Sequence, residues 1–419
     1  MFFNTRLTCL ILIALFSSAP LVTAQEAITH VPFRQVASDG GPQWFGYYDK
    51  HAFSSDDRYL LAMRPPQEGQ SPQPEHAVEL GYIDLHNDDA WTPIGTSTAW
   101  NWQQGCMLQW LPKEDKIIYN DRRDGKFVSV IHDPKTGKDR VLLQPIYTLS
   151  PDGKYAATLN FSRLAFTRPG YGYNGIPYEK LDDRTPADEG VFLLDLETGE
   201  HTLLQSMEQI AAIDFQEGMN GGLNWVNHLL FNTDGTRLIF LHRWRATEKR
   251  DGNKLLGRWN TRMMTTDIQG NAPYNLIDHG IVSHFIWRSP SEILAWSNEP
   301  ETKQKFHLYT DTTDKHAVIG EGVLTRDGHC TYSPDGQWIL TDTYPDKDRM
   351  QHLMLYRPVD GKLVELGRFF QDQKFNGEIR CDLHPRWSRE GKTICIDSIH
   401  SGTRQMYLLD VSEIVGEGK

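Results

Sequence analysis

The sequence predicts an all-β chain folded as a seven-bladed β-propeller. Three observations predict it: a hairpin motif that recurs seven times, a second hairpin after many copies, and a near absence of helical periodicity. Clear copies lie at 53–61, 149–157, 231–239, 332–340 and 387–395, and weaker ones at 110–118 and 287–294. Each runs from an aromatic or apolar residue through a tight turn into a β-rich alternating stretch. Asp152-Gly153, Asp234-Gly235 and Asp335-Gly336 supply the positive φ that such hairpins require. Second hairpins at 194–200, 356–362 and 407–411 bring a unit to four strands. A unit of about 56 residues is too small to bury a face alone, and packing around an axis solves that problem. A β-sandwich would not need such regular repetition. One short helix is expected over 204–212.

The chain opens on a secretory pattern: Arg6 is the basic start, 7–16 the apolar run, and Val22-Thr23-Ala24 a small-residue cleavage site. Residues 1–24 are therefore expected to be a signal peptide, with 25–419 a single propeller domain in the periplasm or outside the cell. No later stretch reaches the roughly 20 consecutive apolar residues of a membrane span. The net charge is −12, and about −13 without Arg6, which argues against a nucleic-acid binder because phosphate contacts need a basic face. Beyond the leader stand Cys106, Cys330, Cys381 and Cys395, with no zinc-finger spacing.

One interval between hairpins is too long. At 165–190 the chain carries a Gly-, Pro- and Tyr-rich stretch followed by a charged one. It reads either as an irregular connector or as a saccharide-stacking lid using Tyr171, Tyr173 or Tyr178.

When the turns are aligned, the position six residues before the turn acid holds Lys50, Met107, Ile146, His228, His284, His329 and His384. Four histidines in seven places, from 16 in the chain, arise by chance on the order of once in ten thousand, although duplicated blades inherit residues together. The strand before the first hairpin is the innermost of its blade, so these imidazoles are expected to converge at one mouth of the channel. Asp382 stands two residues before His384 and shares its strand face. His284, His329, His384 and Asp382 form a candidate site for a divalent metal such as Mn, Zn or Ca. Cys330 and Cys381 point the other way, as buried thiols or a disulfide. His242 falls beside Arg243, Arg245 and Arg262, a base among guanidinium groups suited to an acidic sugar; the alternative is a basic loop paired with carboxylates. Gln104, in 101–105, and the aromatic 41–48 with Tyr48 are candidate sugar contacts beside Lys50. Ordinary turn contacts and blade-closing packing are the competing readings.

These residues resemble the oligogalacturonate lyase family and, more loosely, other propeller polysaccharide lyases. The likeness runs at low similarity from Tyr47-Tyr48-Asp49-Lys50-His51 to 384–392 and 401–408. Leu241-His242 falls where the family has the catalytic histidine of a His-Glu-Gly-Pro-Trp motif, with Arg243-Trp244-Arg245 in place of Glu-Gly-Pro. Ser283-His284-Phe285-Ile286-Trp287 looks like the family's metal-ligand segment, and His384-Pro385 like the second half of its His-Pro-His-Pro motif, with Asp382 for the first His. The resemblance implies β-elimination on a uronate in an acidic oligosaccharide or polysaccharide. The metal would neutralise the carboxylate, His242 would take the C5 proton, and Arg245 or Arg262 would stabilise charge. His228 would orient the substrate or donate a proton. Two other functions fit the fold: a non-catalytic binding propeller like that of the Tol-Pal system, and a metal-dependent carbohydrate hydrolase.

Overall fold

Local hydrogen bonding explains why the repeated turns fold alike. In blade I the Ser54 hydroxyl donates to Asp56 at 2.6 Å and accepts from the Tyr59 amide at 2.9 Å. Ser150 with Asp152 and Tyr155, and Ser333 with Asp335 and Trp338, repeat the pattern. In blade IV Asn232 takes over the serine's accepting role toward the Arg237 amide. A side chain thus closes the turn in these blades. The turn also needs one left-handed residue, which is Gly153 (φ 74°) in blade III and Asp57 (φ 58°) in blade I.

The computed structural model describes residues 27–416 apart from 38, 40, 246–248, 252–253 and 257, and only the backbone of 249–251 and 254–256. The expected signal peptide therefore lies outside the described residues. Seven antiparallel sheets form a ring, the predicted seven-bladed propeller. Blade IV, for example, runs Leu223–Phe231, Arg237–Arg245, Asn260–Asp267 and Tyr274–Ile277 from the axis outward. Blades V to VII begin with the inner strands Val282–Trp287, Cys330–Tyr332 and Arg386–Trp387. Apolar residues between neighbouring blades form the core in successive clusters, such as Ile239, Leu241, Phe285 and Ile293 between blades IV and V. Burying those faces drives assembly of the ring. Among the described residues no helix is long and apolar enough to cross a membrane.

The ring is closed by the first described residues. Phe33–Gln35 pairs with Gln405–Asp410 as the outer strand of blade VII, and Ile28–Thr29 adds a fifth strand to blade VI. The Phe33 ring stacks on Tyr407 with centroids 5.0 Å apart. The helix expected over 204–212 starts at Met207, because Ser206 and Gln209 form a reciprocal cap and Leu204 stays in the strand His201–Ser206. The long interval leaves blade III after Tyr155–Thr158, forms the helix Phe161–Thr167 capped by Asn160, and returns at Gly190–Asp195. Arg163 pins it, donating to the carbonyls of Asn224, Asp183 and Arg184.

His400, buried under the closing strand, makes the fold acid-sensitive. Its ring lies 4.5 Å from Tyr407 and near Phe33 and Phe369, and burial pushes its pKa down to about 4. The folded state holds the neutral ring while the unfolded chain protonates near 6.5, so stability present above that pH is lost as pH falls toward 4. The loss from this residue reaches about 3 kcal/mol at most. Urea midpoints measured from pH 7 to pH 4 should fall, and His400→Phe should flatten the decline.

Candidate functional site

Three imidazoles and a carboxylate meet at the axis between blades V, VI and VII. Ring centroids of His284 and His329 are 4.0 Å apart, and those of His329 and His384 4.3 Å. Ligand atoms of His329, Asp382 and His384 all lie within 4.8 Å of one another, and all three residues are buried. Hairpin register sets His329 beside Asp342, because Cys330 faces Thr341 on the neighbouring strand. Asp342 accepts from the His329 amide at 2.7 Å, from its Nδ1 at 2.9 Å and from the His384 amide at 3.2 Å. That contact fixes the His329 tautomer and leaves Nε2 as a bare acceptor. His384 reaches the site from an irregular segment before its strand, at φ 43°. Asp382 spends Oδ2 on Arg380, at 2.6 Å. His284 is the outlying member, with Nδ1 2.9 Å from Asp327 and Nε2 3.5 Å from the Tyr344 hydroxyl.

What remains is a set of polar atoms without partners. His329 Nε2, His384 Nε2 and Asp382 Oδ1 are buried, and none has a hydrogen bond among the described residues. Leaving buried acceptors empty is costly. Imidazole nitrogens with one carboxylate are the donors that Mn and Zn favour, so the residues present fit a divalent cation. Electrostatics agree: burial and His329 lower the pKa of His284, and burial, His329 and Arg386 lower that of His384 well below the ordinary value. For His329 burial acts downward, but Asp342 outweighs it and the pKa is raised.

Beside this cluster opens a cavity of about 630 Å3, lined by His284, His228, Tyr171, Arg168, Arg243 and Trp259 among others. His228, at φ 52°, bonds through Nδ1 to the Tyr47 hydroxyl at 3.1 Å and meets Tyr171 edge-on at 5.4 Å. The Tyr47 ring sits among the histidines, 5.0 Å from His384 and 5.5 Å from His228, so His228 is held apart from the other three. Burial, then Arg243, then His284, lowers the His228 pKa well below 6.5. Burial alone would raise Tyr171, but Arg380, whose guanidinium donates to its hydroxyl at 2.9 Å, and Arg168 bring its pKa below the usual value.

The other expected residues fall elsewhere. His242 is fully buried inside blade IV, with Nε2 2.9 Å from Asn224 Oδ1 and Nδ1 accepting from Arg262 Nε at 2.9 Å. Strand alternation turns it away from the cavity that its neighbour Arg243 lines. Arg262 is spent on the carbonyls of Ile210, Ile213 and Asp214, and Arg245 stacks on Trp225 and Trp259. Tyr173 is buried, stacked on Phe161 at 4.2 Å, and Tyr178 bonds Glu189 at 3.1 Å; neither lines the cavity. Tyr48 donates to the Phe285 carbonyl at 3.0 Å, and Gln104 accepts from Tyr147 at 3.0 Å. Lys50 lies 2.9 Å from Asp49, and with Tyr48 it lines a separate cavity of about 500 Å3. Cys106, Cys330, Cys381 and Cys395 are buried free thiols. Sequence reading missed Asp342, Asp327 and Trp259, and it singled out the stretches that hold Tyr47 and Arg168 without naming a role for either residue. Asp342 alone had a signal, since counting outward from the 333–336 turn sets it opposite His329.

Two solved oligogalacturonate lyases share this architecture. One, solved in complex with manganese, matches at TM-score 0.67 and 15% identity over 93% of this chain and 95% of its own. The other, from Vibrio parahaemolyticus, matches at 0.64 and 13% over 93% and 97%. TolB from Acinetobacter baumannii matches at 0.41 and 12% over 89% and 86%. No family model matches the sequence, and no curated protein does. The resemblance read from the sequence is matched in these two structures at the level of fold.

Proposed function

We propose that the chain is a divalent-metal-dependent lyase that cleaves uronic-acid-containing saccharides by β-elimination. The observation that carries this reading is the set of unpartnered buried acceptors on His329, His384 and Asp382, next to His284, which lines a cavity together with Arg168, Arg243 and Arg326. His329, His384 and Asp382 would hold the cation, with His284 beside them. When bound, it supplies positive charge to the substrate carboxylate, next to which a second negative charge develops as the C5 proton leaves. The neighbour solved with manganese supports that choice of ion.

The proton work falls to groups that line the cavity. His228, kept neutral by burial and by Arg243, accepts the C5 proton. Its bond to Tyr47 holds the ring in place. Tyr171, polarised by Arg380, returns a proton to the departing O4. The C5–H and C4–O bonds break, C4=C5 forms, and no water is added. His242, with both nitrogens committed, holds Arg262 and Asn224 in place within blade IV.

Incubation with a panel of uronate polymers and oligomers, with Mn supplied, should produce the absorbance of a 4,5-unsaturated product. Silence on every substrate overturns the reading, and products heavier by one water mark a hydrolase instead.

A further inference from the structure

The inner strands run from one face of the disc to the other, and their two ends line different cavities. In blade V, Val282, Ser283 and His284 wall the cavity beside the histidine cluster, while Ile286, Trp287 and Arg288, at and just past the other end of the strand, wall a second one of about 500 Å3. Blade IV repeats the division with His228 and Thr233. The two cavities share no lining residue. Tyr48 lies between them, since it lines the second cavity and its ring is 5.2 Å from that of His329. The second cavity therefore opens at the opposite mouth of the channel, where the hairpin turns gather.

This mouth holds the one buried lysine among the described residues. Lys50 is 5% exposed, and its Nζ has no hydrogen bond. Asp49 Oδ1 is 2.9 Å away, but the two meet out of hydrogen-bond alignment, so Oδ1 also lacks a donor. An ammonium carries three N–H donors, and leaving them unmet in a protein interior is costly. Thr331 Oγ1 and Trp387 Nε1, from blades VI and VII, line the same cavity without partners. Unpaired indoles occur elsewhere in the core, as at Trp44 and Trp225; the lysine sets this cavity apart.

Charge points the same way. Lys50, His51, Arg288, Arg386 and Arg389 line the cavity against a single carboxylate, Asp49. Arg386 is paired with Asp397, and Arg288 lies 3.7 Å from Glu292. Arg389 has no ion pair among the described residues; its guanidinium donates to the Phe53 carbonyl at 3.2 Å and to His51 Nδ1 at 2.9 Å. Donors from the start of blade I and from blades VI and VII thus surround one space.

We propose that the opposite channel mouth is a binding site for a phosphate group, free or esterified, held by Lys50 and Arg389 with Thr331 and Trp387 completing the shell. A tetrahedral oxyanion accepts from donors on several sides, whereas a carboxylate is matched by one planar fork. Asp49 decides between tetrahedral anions. Phosphate keeps a proton at neutral pH and can donate it to Oδ1, while sulfate has none to give and meets the carboxylate as a like charge. The site is independent of the lyase chemistry at the other face.

The test is calorimetric titration of the protein, dialysed free of divalent metal, with inorganic phosphate, a hexose phosphate, sulfate and acetate. One phosphate should bind per chain, about 10-fold or more tightly than sulfate or acetate, and the better of the two phosphates tells whether the group is free or esterified. Lys50→Met and Arg389→Gln, checked for native near-UV circular dichroism, should each weaken it by about 10-fold. Asp49→Asn should bring sulfate within about threefold of phosphate, a ratio that does not depend on the folded fraction. Arg243→Gln, at the other mouth, should leave phosphate affinity unchanged. Absence of saturable phosphate binding, sulfate bound as well as phosphate, or affinity lost in Arg243→Gln and kept in Lys50→Met and Arg389→Gln overturns the proposal.

Discussion

Replacing His329 or His384 by alanine should abolish detectable lyase turnover and weaken Mn binding by more than 100-fold. Each offers a buried Nε2 that no group among the described residues satisfies, and each sits on backbone held by Asp342. The variants remove a ligand without removing that scaffold, so a competition titration against a fluorescent chelator reads the metal term directly. Asp342→Asn should give a smaller loss, on the order of 10- to 100-fold, because it perturbs the orientation and basicity of His329 and keeps the ligands themselves. Undiminished metal content in both alanine variants would rule this centre out.

The second large effect is on stability. Arg386 and Asp397 form a fully buried bidentate pair, with contacts of 2.9 and 3.1 Å. Asp397 also accepts from the amides of Phe45 and Gly46, while Arg386 donates to the carbonyls of Gly46 and His384. The pair therefore ties the start of the ring to its last blade and to a candidate metal ligand. Arg386→Ala should destabilise the fold by about 3–5 kcal/mol, since Asp397 would stay buried without its counter-charge. Arg386→Met with Asp397→Leu should recover part of that loss. Urea unfolding with and without Mn checks both, and the metal-induced rise in midpoint should shrink in Arg386→Ala.

Turns and register were legible because they depend on few residues. In most blades a Ser or Asn, an acid and a left-handed Gly or Asp specify the hairpin locally, and counting along the repeat places His284, His329 and His384 near the axis. Their company was harder to read. Tyr47 comes from the segment before the first blade and Arg168 from the long connection of blade III; their meeting with the histidines depends on how blades pack. His242 illustrates the limit most clearly. Its neighbours in sequence are cationic, but a shift of one residue along a strand exchanges the cavity for the blade interior, and the pairing of this strand with the inner one shifts register between Asn227 and Leu230.

Because the strand Phe33–Gln35 completes the blade that holds Gln405–Asp410, the disc cannot be finished until that distant strand is available to pair. Its earliest segment must wait, unpaired, while some 370 residues emerge, and the entropic penalty of joining such distant ends falls due only at the last step. Until then the exposed flank of the terminal sheet is an edge open to other chains. Holding it apart during synthesis is a task for chaperones, and the yield of native protein should respond to them more than its final stability does.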